Sequence, residues 1–534
     1  MKKNYLLLLC FLSSTIVFSQ IYVKEDATGA NDGTSWSDAY TNLQTAINVA
    51  NVNDEIWVAA GTYKPAESPD SSVQSDLRSW CFYLNKDVKL YGGFAGTETS
   101  VSERDLVTNP TILSGEIGNQ ANFSDNSHHV IIITNTTKEA LLDGFTITHG
   151  NAKGGVTISF DGRTFFSGQG AGLYMTYAFT TLRNLIIEEN KANRGGGAYL
   201  LNAEVTPFAD RVVIENVTFS FNEAISVNAG GGLLLTNCNP LLYNAIFESN
   251  RAELFSGVGG TGGGVVITNS SRVFFYNPVF YGNYAFNRGS AIVADDSEIT
   301  VYNGTFVNQN KTPLDLENYL NSDNHVRASV FFNNGTFGDV SGDLDTSSSS
   351  NTYNASDSQS PYDEVDDASA HFTDLSSQTA ADIFVDIDNP RGPDNIWRTL
   401  DDGLMPKNTS PLLEAAGVSS GPYSQDVTGE FRFFNILDLG AYENPGTLSN
   451  DEFIKASNNY AIYPNPTTSG AFRIASSKEE NLKIEVYTTL GKKVLTTVST
   501  TTQIDVANLK SGIYIVKISG KDTRQITKKL IVHN

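Results

Sequence analysis

The chain has 534 residues, 40% of them hydrophobic and only 18% charged, which is enough apolar material for a core and too little charge for a disordered polymer. A formal net charge of −23, with no basic cluster to offset it, argues against nucleic acid or anionic lipid as a partner. Forty-five glycines against 16 prolines, with Asn and Thr throughout, point to many turns and short strands, hence an all-β chain.

At the N-terminus, Lys2 and Lys3 precede an apolar run from Tyr5 to Phe18 and the small Ser19. That order predicts a signal peptide over residues 1–19. Cys10 does not make it a lipoprotein leader, because Leu9 stands where a small residue is needed and the apolar run continues past it. Once the leader is gone only Cys81 and Cys238 remain, expected as buried small hydrophobes rather than a bridge. No later segment approaches the ~18 apolar residues of a membrane-spanning helix.

Residues 20–65 read as a cap. Strand-like Ile21-Tyr-Val leads into a turn-rich stretch from Thr28 to Gly33, then Leu43, Ala46, Ile47 and Ala50 at helical spacing, then the strand Glu55 to Ala59 and Gly61-Thr-Tyr63. A solenoid's first coil exposes its core, and an amphipathic helix here closes it.

Residues 66–337 carry a repeat. Asn184-Leu-Ile-Ile-Glu-Glu-Asn190, Asn216-Val-Thr-Phe-Ser-Phe-Asn222, Asn244-Ala-Ile-Phe-Glu-Ser-Asn250 and Asn277-Pro-Val-Phe-Tyr-Gly-Asn283 follow at intervals of 32, 28 and 33 residues, with a degenerate copy around Phe306. Between copies lie Gly195-Gly196-Gly197, Gly230-Gly231-Gly232, Gly262-Gly263-Gly264 and the variant Gly289-Ser290, each followed by alternating apolar residues. Each coil is therefore expected to hold at least two short strands with a glycine-permitted bend, sending Ile186, Phe219 and Phe247 inward to stack at about 4.8 Å. The recurring Asn fits a left-handed turn whose amide bonds to backbone or to the next coil's Asn. A propeller needs longer, four-stranded blades of about 40–45 residues, so a parallel β-helix is favoured.

The alternation of Phe-x-x-Asn with Gly-Gly-apolar resembles the repeats of the polymorphic outer membrane proteins, which implies a right-handed parallel β-helix and adhesion. Thr34 to Ala39, Ala60 to Pro65, Leu90 to Glu98 and Ile112 to Gly115 resemble the opening of secreted bacterial proteins of the pectate-lyase-like superfamily. From about Gly338 the sequence turns polar, at Ser347 to Ser350 and at Asp363, Glu364, Asp366 and Asp367, and residues 338–445 are expected as irregular coils. Phe384 to Pro390, Asp401 to Leu404, Ser410 to Ala416 and Asp438 to Glu443 resemble a choice-of-anchor region, departing from it at Glu414 where Asp is expected.

A linker over 446–459 precedes the tail, 460–534. Tyr463-Pro-Asn-Pro466, Gly470, Leu490-Gly-Lys-Lys-Val494, Leu509 to Lys517 and Lys528 to Val532 are alternating strands with turns, compact enough for a small β-sandwich. They are similar to the C-terminal sorting domain of the type IX secretion system of Bacteroidota. The resemblance implies contact with that machinery, passage across the outer membrane, and a secreted or cell-surface destination.

Chemistry is harder to read. A uronate lyase gathers acidic groups for calcium and supplies a Lys or Arg base, and a glycoside hydrolase needs a carboxylate pair. Within residues 182–310 aspartates are scarce: Asp210, Asp295 and Asp296 stand out, the last two as a polar turn. Arg194, Arg251 and Arg288 follow the Asn turns and read as solvated. His128, His129 and His149 lack partners at metal-ligand spacing. Asp386, Asp388, Asp394, Asp401 and Asp402 form an acidic stretch whose oxygens suit a structural calcium ion outside the cell. No catalytic residue is assigned. The favoured expectation is a non-enzymatic β-helix that binds a polysaccharide, matrix or cell-surface ligand; the alternatives are a carbohydrate-active enzyme, a polysaccharide lyase foremost, and a structural spacer.

Overall fold

The computed structural model describes residues 20–120, 122–154, 157–203, 211–253, 259–317, 324–335, 338–342, 354–358, 362–363, 372–416, 425–430, 432 and 437–444, and, further on, 460–463, 467, 471–476, 482–488, 492–499, 503–519 and 526–532. The expected leader, the run Ser347 to Ser350 and the linker lie outside the described residues. The chain divides into two compact units, Met1–Asn444 and Pro445–Asn534.

In the first unit the strands stack in parallel into three long sheets. The first holds ten strands, from Gln20–Val23 to His325–Arg327; the second ten, from Phe82–Leu84 to Tyr362–Asp363; the third eleven, from Gly61–Tyr63 to Phe372–Asp374. A fourth, narrow sheet of two-residue strands runs from Asn151–Ala152 to Tyr284–Ala285. Each turn of chain contributes one strand per sheet, the architecture of a parallel β-helix. Its interior is a ladder: Phe219, Phe247, Phe280, Phe306 and Phe331 stack at 4.9, 4.7, 5.0 and 4.7 Å between ring centroids, their planes within 7° of parallel. Coil spacing dictates that distance, because neighbouring strands lie about 4.8 Å apart.

One inward assignment is corrected. Ile187, not Ile186, pairs in register with Phe219, and Ile186 is 42% exposed on the outer face. Counted from the turn asparagine, the third residue faces in; two adjacent isoleucines concealed that phase.

Two asparagine ladders flank this strand. The first Asn of each repeat has left-handed backbone (φ 51° at Asn184, 55° at Asn216, 53° at Asn244, 51° at Asn277) and hands its amide to the coil before: Asn216 to Asn184 at 3.3 Å, Asn244 to Asn216 at 3.0 Å, Asn277 to Asn244 at 2.9 Å. The second is buried, and the Nδ2 groups of Asn190, Asn222 and Asn250 donate to the next coil's Asn at 3.1, 3.0 and 3.0 Å. The glycine triplets have a packing reason. Gly195, Gly230 and Gly262 take positive φ, whereas a Cβ on Gly196 or Gly197 would come within 2.5 Å of a carbonyl oxygen of the next coil.

At the N-terminal end the helix Leu43–Val49, capped by the Asn42 side chain, buries Leu43, Ala46 and Ile47 against the first coil. The other end carries further coils and a returning segment. Coils continue beyond Gly338 through Val340–Gly342, Asn354–Ser356 and Phe372–Asp374. The described residues from 375 to 444 then fold back over the outer face of the third sheet, where Phe384, Leu404, Met405, Leu412, Leu439 and Tyr442 pack on Ile246, Val279, Val307, Val330 and Phe332. Cys81 and Cys238 are buried and unbridged.

The second unit is a β-sandwich of a three-stranded and a four-stranded antiparallel sheet. Phe472, Ile474 and Ile504 from one sheet and Ile484, Val486, Val516, Ile518 and Leu530 from the other close on one core. Ser511-Gly512 leads into a strand as expected, whereas Pro464 to Pro466 and Leu490-Gly491 lie outside the described residues.

Candidate functional site

On the third sheet, alternation leaves two outward positions per strand. One row reads Thr62, Ile112, Thr146, Ile186, Thr218, Ile246; the other Ser114, Thr148, Glu188, Ser220, Glu248, Tyr281. From Thr218 onward this face is buried. Before it the face is open, and a groove of ≈ 390 Å³ lies along it, lined by Thr62, Lys64, Ile112, Ser114, Glu116, Gln120, Thr146, Thr148, His149, Glu188 and Glu189.

Most of the lining residues are polar and their charge is net acidic, three glutamates against Lys64. Glu188 ends the strand Ile186–Glu188; burial pushes its carboxyl up and the neighbouring Glu189 adds to this, against the pull of Arg391, a 3.4 Å hydrogen bond from Ser220 Oγ, and His149. His149 sits in a left-handed turn (φ 63°), its Nδ1 2.9 Å from Thr148 Oγ1 and its Nε2 3.3 Å from a Glu189 carboxylate oxygen. Glu116 is 8% exposed; its backbone N–H donates to Ser114 Oγ at 3.2 Å and its carboxylate accepts from the Gly118 N–H at 3.1 Å. At the rim the Phe123 ring lies 5.7 Å from His149, with Lys191 Nζ 5.0 Å above it.

The folded-back segment is tied to the later strands of the same face. Arg391 makes a two-pronged ion pair with Glu248, and Trp397 Nε1 donates to the same carboxylate at 2.9 Å. Arg398 donates to Asn244 O at 3.2 and 3.1 Å and to Thr218 Oγ1 at 3.1 Å, while Tyr281 Oη donates to Ile387 O at 3.0 Å. Glu188 and Glu248 belong to one register row, and the Arg391 charge that pairs with Glu248 also acts on Glu188.

The aspartates singled out for calcium are placed elsewhere. Asp386 and Asp394 each accept the N–H two residues on, at 3.2 and 2.8 Å, and Asp388 is exposed. Asp401 and Asp402 meet at the Thr399 hydroxyl, 2.5 and 3.2 Å away, but Asp402 is buried and also accepts from Tyr442 Oη at 2.8 Å. Burial raises its pKa to about 6. Among the described residues no group of three or more His, Cys, Asp or Glu side chains that could hold a metal ion is found, and the Asp386, Asp394, Asp401 and Asp402 carboxylates accept hydrogen bonds from nearby residues of their own segment.

Of the remaining residues, Asp295 and Asp315 both pair with Arg288, at 2.8 and 2.7 Å. Arg251 pairs with Glu253, Arg194 donates to Asn228 O at 3.2 Å, and Asp210 lies outside the described residues. His128 and His129 are buried, with pKa values lowered to about 3 and about 4 by desolvation. Only His149 joins the groove. The glutamates were missed because Glu116 precedes the strict repeat and Glu188-Glu189 was read as part of it. The visible signal was two acids where the next copy has Ser220-Phe221.

Residues 114–306 and 171–359 match the family model described as right handed beta helix region, and residues 461–533 the one described as secretion system C-terminal sorting domain. This is an exported right-handed β-helix protein. Its sorting domain, of the type IX system, directs it to the cell surface or the medium. A solved structure entitled "Crystal structure of pectate lyase Pel9A" is similar to the β-helix protein over 80% of this chain and 97% of that one, at 13% identity and a TM-score of 0.44. No curated protein matches the sequence. No helix among the described residues is long and apolar enough to cross a membrane.

Proposed function

We propose that this protein works outside the cell as a glycan-binding surface protein, holding a neutral polysaccharide in the groove over the third sheet. The groove itself carries the reading: Thr62, Thr146 and Thr148 offer hydroxyls, and Glu116, Glu188 and Glu189 offer carboxylates that accept strong hydrogen bonds from sugar hydroxyls. Its acidic balance disfavours uronate polymers, whose carboxylates would meet three glutamates against one lysine. A leader over 1–19 for export, a choice-of-anchor segment over 338–445 and use of residues 460–534 by the secretion machinery belong to the same reading. The role that follows is adhesion to a glycan-bearing surface.

Retention of the purified protein on immobilised xylan, galactomannan and mixed-linkage glucan, compared with polygalacturonate at equal salt, tests it. We expect at least one neutral polymer to be held about tenfold more tightly, about 1.4 kcal/mol. Equal or stronger retention on polygalacturonate would remove the charge argument, and retention on none of them would leave a structural spacer.

A further inference from the structure

The net charge hides a division between the two units. Met1–Asn444 holds 24 Lys or Arg against 52 Asp or Glu, whereas Pro445–Asn534 holds 12 against 7. Part of this basic excess is gathered on one surface of the sorting domain, the outer face of its four-stranded sheet, which is built from Leu482–Thr488, Lys493–Ser499, Gly512–Ser519 and Ile526–Val532. Alternation decides which residues lie there. Ile484, Val486, Val516, Ile518 and Leu530 are buried in the core, so the residues between them point away from it.

Register sets those outward residues in rows across the sheet. Tyr487 stands opposite Lys493 on one neighbouring strand and Ile515 on the other, and Ile515 stands opposite Lys529, so one row reads Lys493, Tyr487, Ile515, Lys529. Beside it Ile513 pairs with Ile531, and Ile513 is 48% exposed. On the other side Glu485 stands opposite Lys517. The Lys493 and Lys517 ammonium groups lie 6.0 and 5.3 Å from the centre of the Tyr487 ring. Glu485 pairs with Lys483 at 3.3 Å and with Lys493 at 2.9 Å, and these lysines with Lys517 and Lys529 outnumber it.

An apolar centre edged by cations has the make-up of a protein interface, where aromatic and aliphatic groups lose water in the middle and rim charges select the partner. We propose that this face is the docking surface of the sorting domain, and that its partner is an acidic protein surface of the secretion machinery. That partner sets Asp or Glu side chains against Lys483, Lys493, Lys517 and Lys529 and an apolar group against Tyr487 and Ile515. The match to a secretion system sorting domain supplies the occupant, and the lysines supply the sign of its charge. An anionic bilayer fits less well. Among the described residues of this unit Ile513 is the one large apolar side chain more than a third exposed, too little to enter the acyl boundary.

Export of the full-length protein from the cells that make it tests this, read as the fraction found outside the envelope, with limited proteolysis of the purified chain to show that the sorting domain is folded. We expect Lys493→Glu with Lys517→Glu to lower the exported fraction about tenfold, and Lys493→Arg with Lys517→Arg to leave it unchanged. Lys510→Glu, a reversal in the turn before Gly512–Ser519, should export normally. Normal export of the Glu pair, or an equal loss in Lys510→Glu, overturns the assignment. Should the Glu pair prove protease-sensitive, Lys493→Gln with Lys517→Gln removes the charge alone, and its export at the wild-type level overturns the assignment instead. Sedimentation of the wild-type protein with phosphatidylcholine vesicles containing phosphatidylglycerol separates the two sources of negative charge. No sedimentation is expected; sedimentation that the Glu pair abolishes would overturn the protein partner in favour of a membrane.

Discussion

Asn222 shows how much one side chain decides in a stacked fold. Its Oδ1 accepts the Asn190 backbone N–H and amide, both at 3.1 Å, and its Nδ2 donates to Ile187 O at 2.7 Å and to Asn250 at 3.0 Å. Asn222→Ala orphans these buried groups, at about 1–3 kcal/mol for each left unsatisfied, and should lower the urea midpoint of the first unit while its spectrum stays β. His128 and His129 set a pH dependence at the same scale. Both have folded pKa values below the unfolded value near 6.5, so as pH falls from about 6.5 toward 4 the unfolded chain takes up protons that the folded one refuses, and stability drops. Asp339 and Asp402, raised to about 6, and Glu443, raised to about 7, act in the opposite sense over about pH 4 to 7. A His128→Gln, His129→Gln double variant should therefore differ from wild type by a stability gap that narrows as pH is lowered. A gap that is constant across that range would show that the imidazoles titrate alike in both states.

Among the elements, the third sheet has two lives. Inside, its phenylalanine ladder is the core of the helix, and Phe247→Ala between Phe219 and Phe280 should cost about 3–5 kcal/mol in a denaturant titration. Outside, its later strands support the returning segment and its earlier strands are left open. Glu248 joins the two regimes, since Arg391 and Trp397 both converge on it. Glu248→Ala leaves that guanidinium, whose side chain is only 23% exposed, without its partner, and should cost about 2–4 kcal/mol. Hydrogen exchange in residues 385–405 should speed up more than in the ladder strands. Uniform acceleration across the helix would mean that the segment and the coils unfold as one cooperative unit.

For the whole molecule, the two units have separate cores, and the second is the sorting domain for export. Truncation after Asn444 should leave the melting temperature of the first unit within about 2 °C of its value in the full chain and retain the protein inside the cell envelope, read by fractionation. The fold was legible because a solenoid repeats: the Asn turns, glycine triplets and Phe-x-x-Asn spacing each encode one local contact with the next coil, and every copy restates it. The phase at Ile186-Ile187 was not, since either isoleucine satisfies a local pattern and only stacking on Phe219 chooses between them. The groove was out of reach for a different reason. Lys64, Glu116, His149 and Glu188 lie on different coils, far apart in sequence, and are brought together only by winding. Likewise no local signal says that the described residues from 375 to 444 return to cover the outer face, because an apolar outer stripe at Ile246, Val279, Val307 and Val330 reads alone as core. Sequence by itself determined the coil and the exported tail, which depend on contacts between equivalent residues; tertiary structure decided which stretch of the outer face stays open, which depends on contacts between residues that share no pattern.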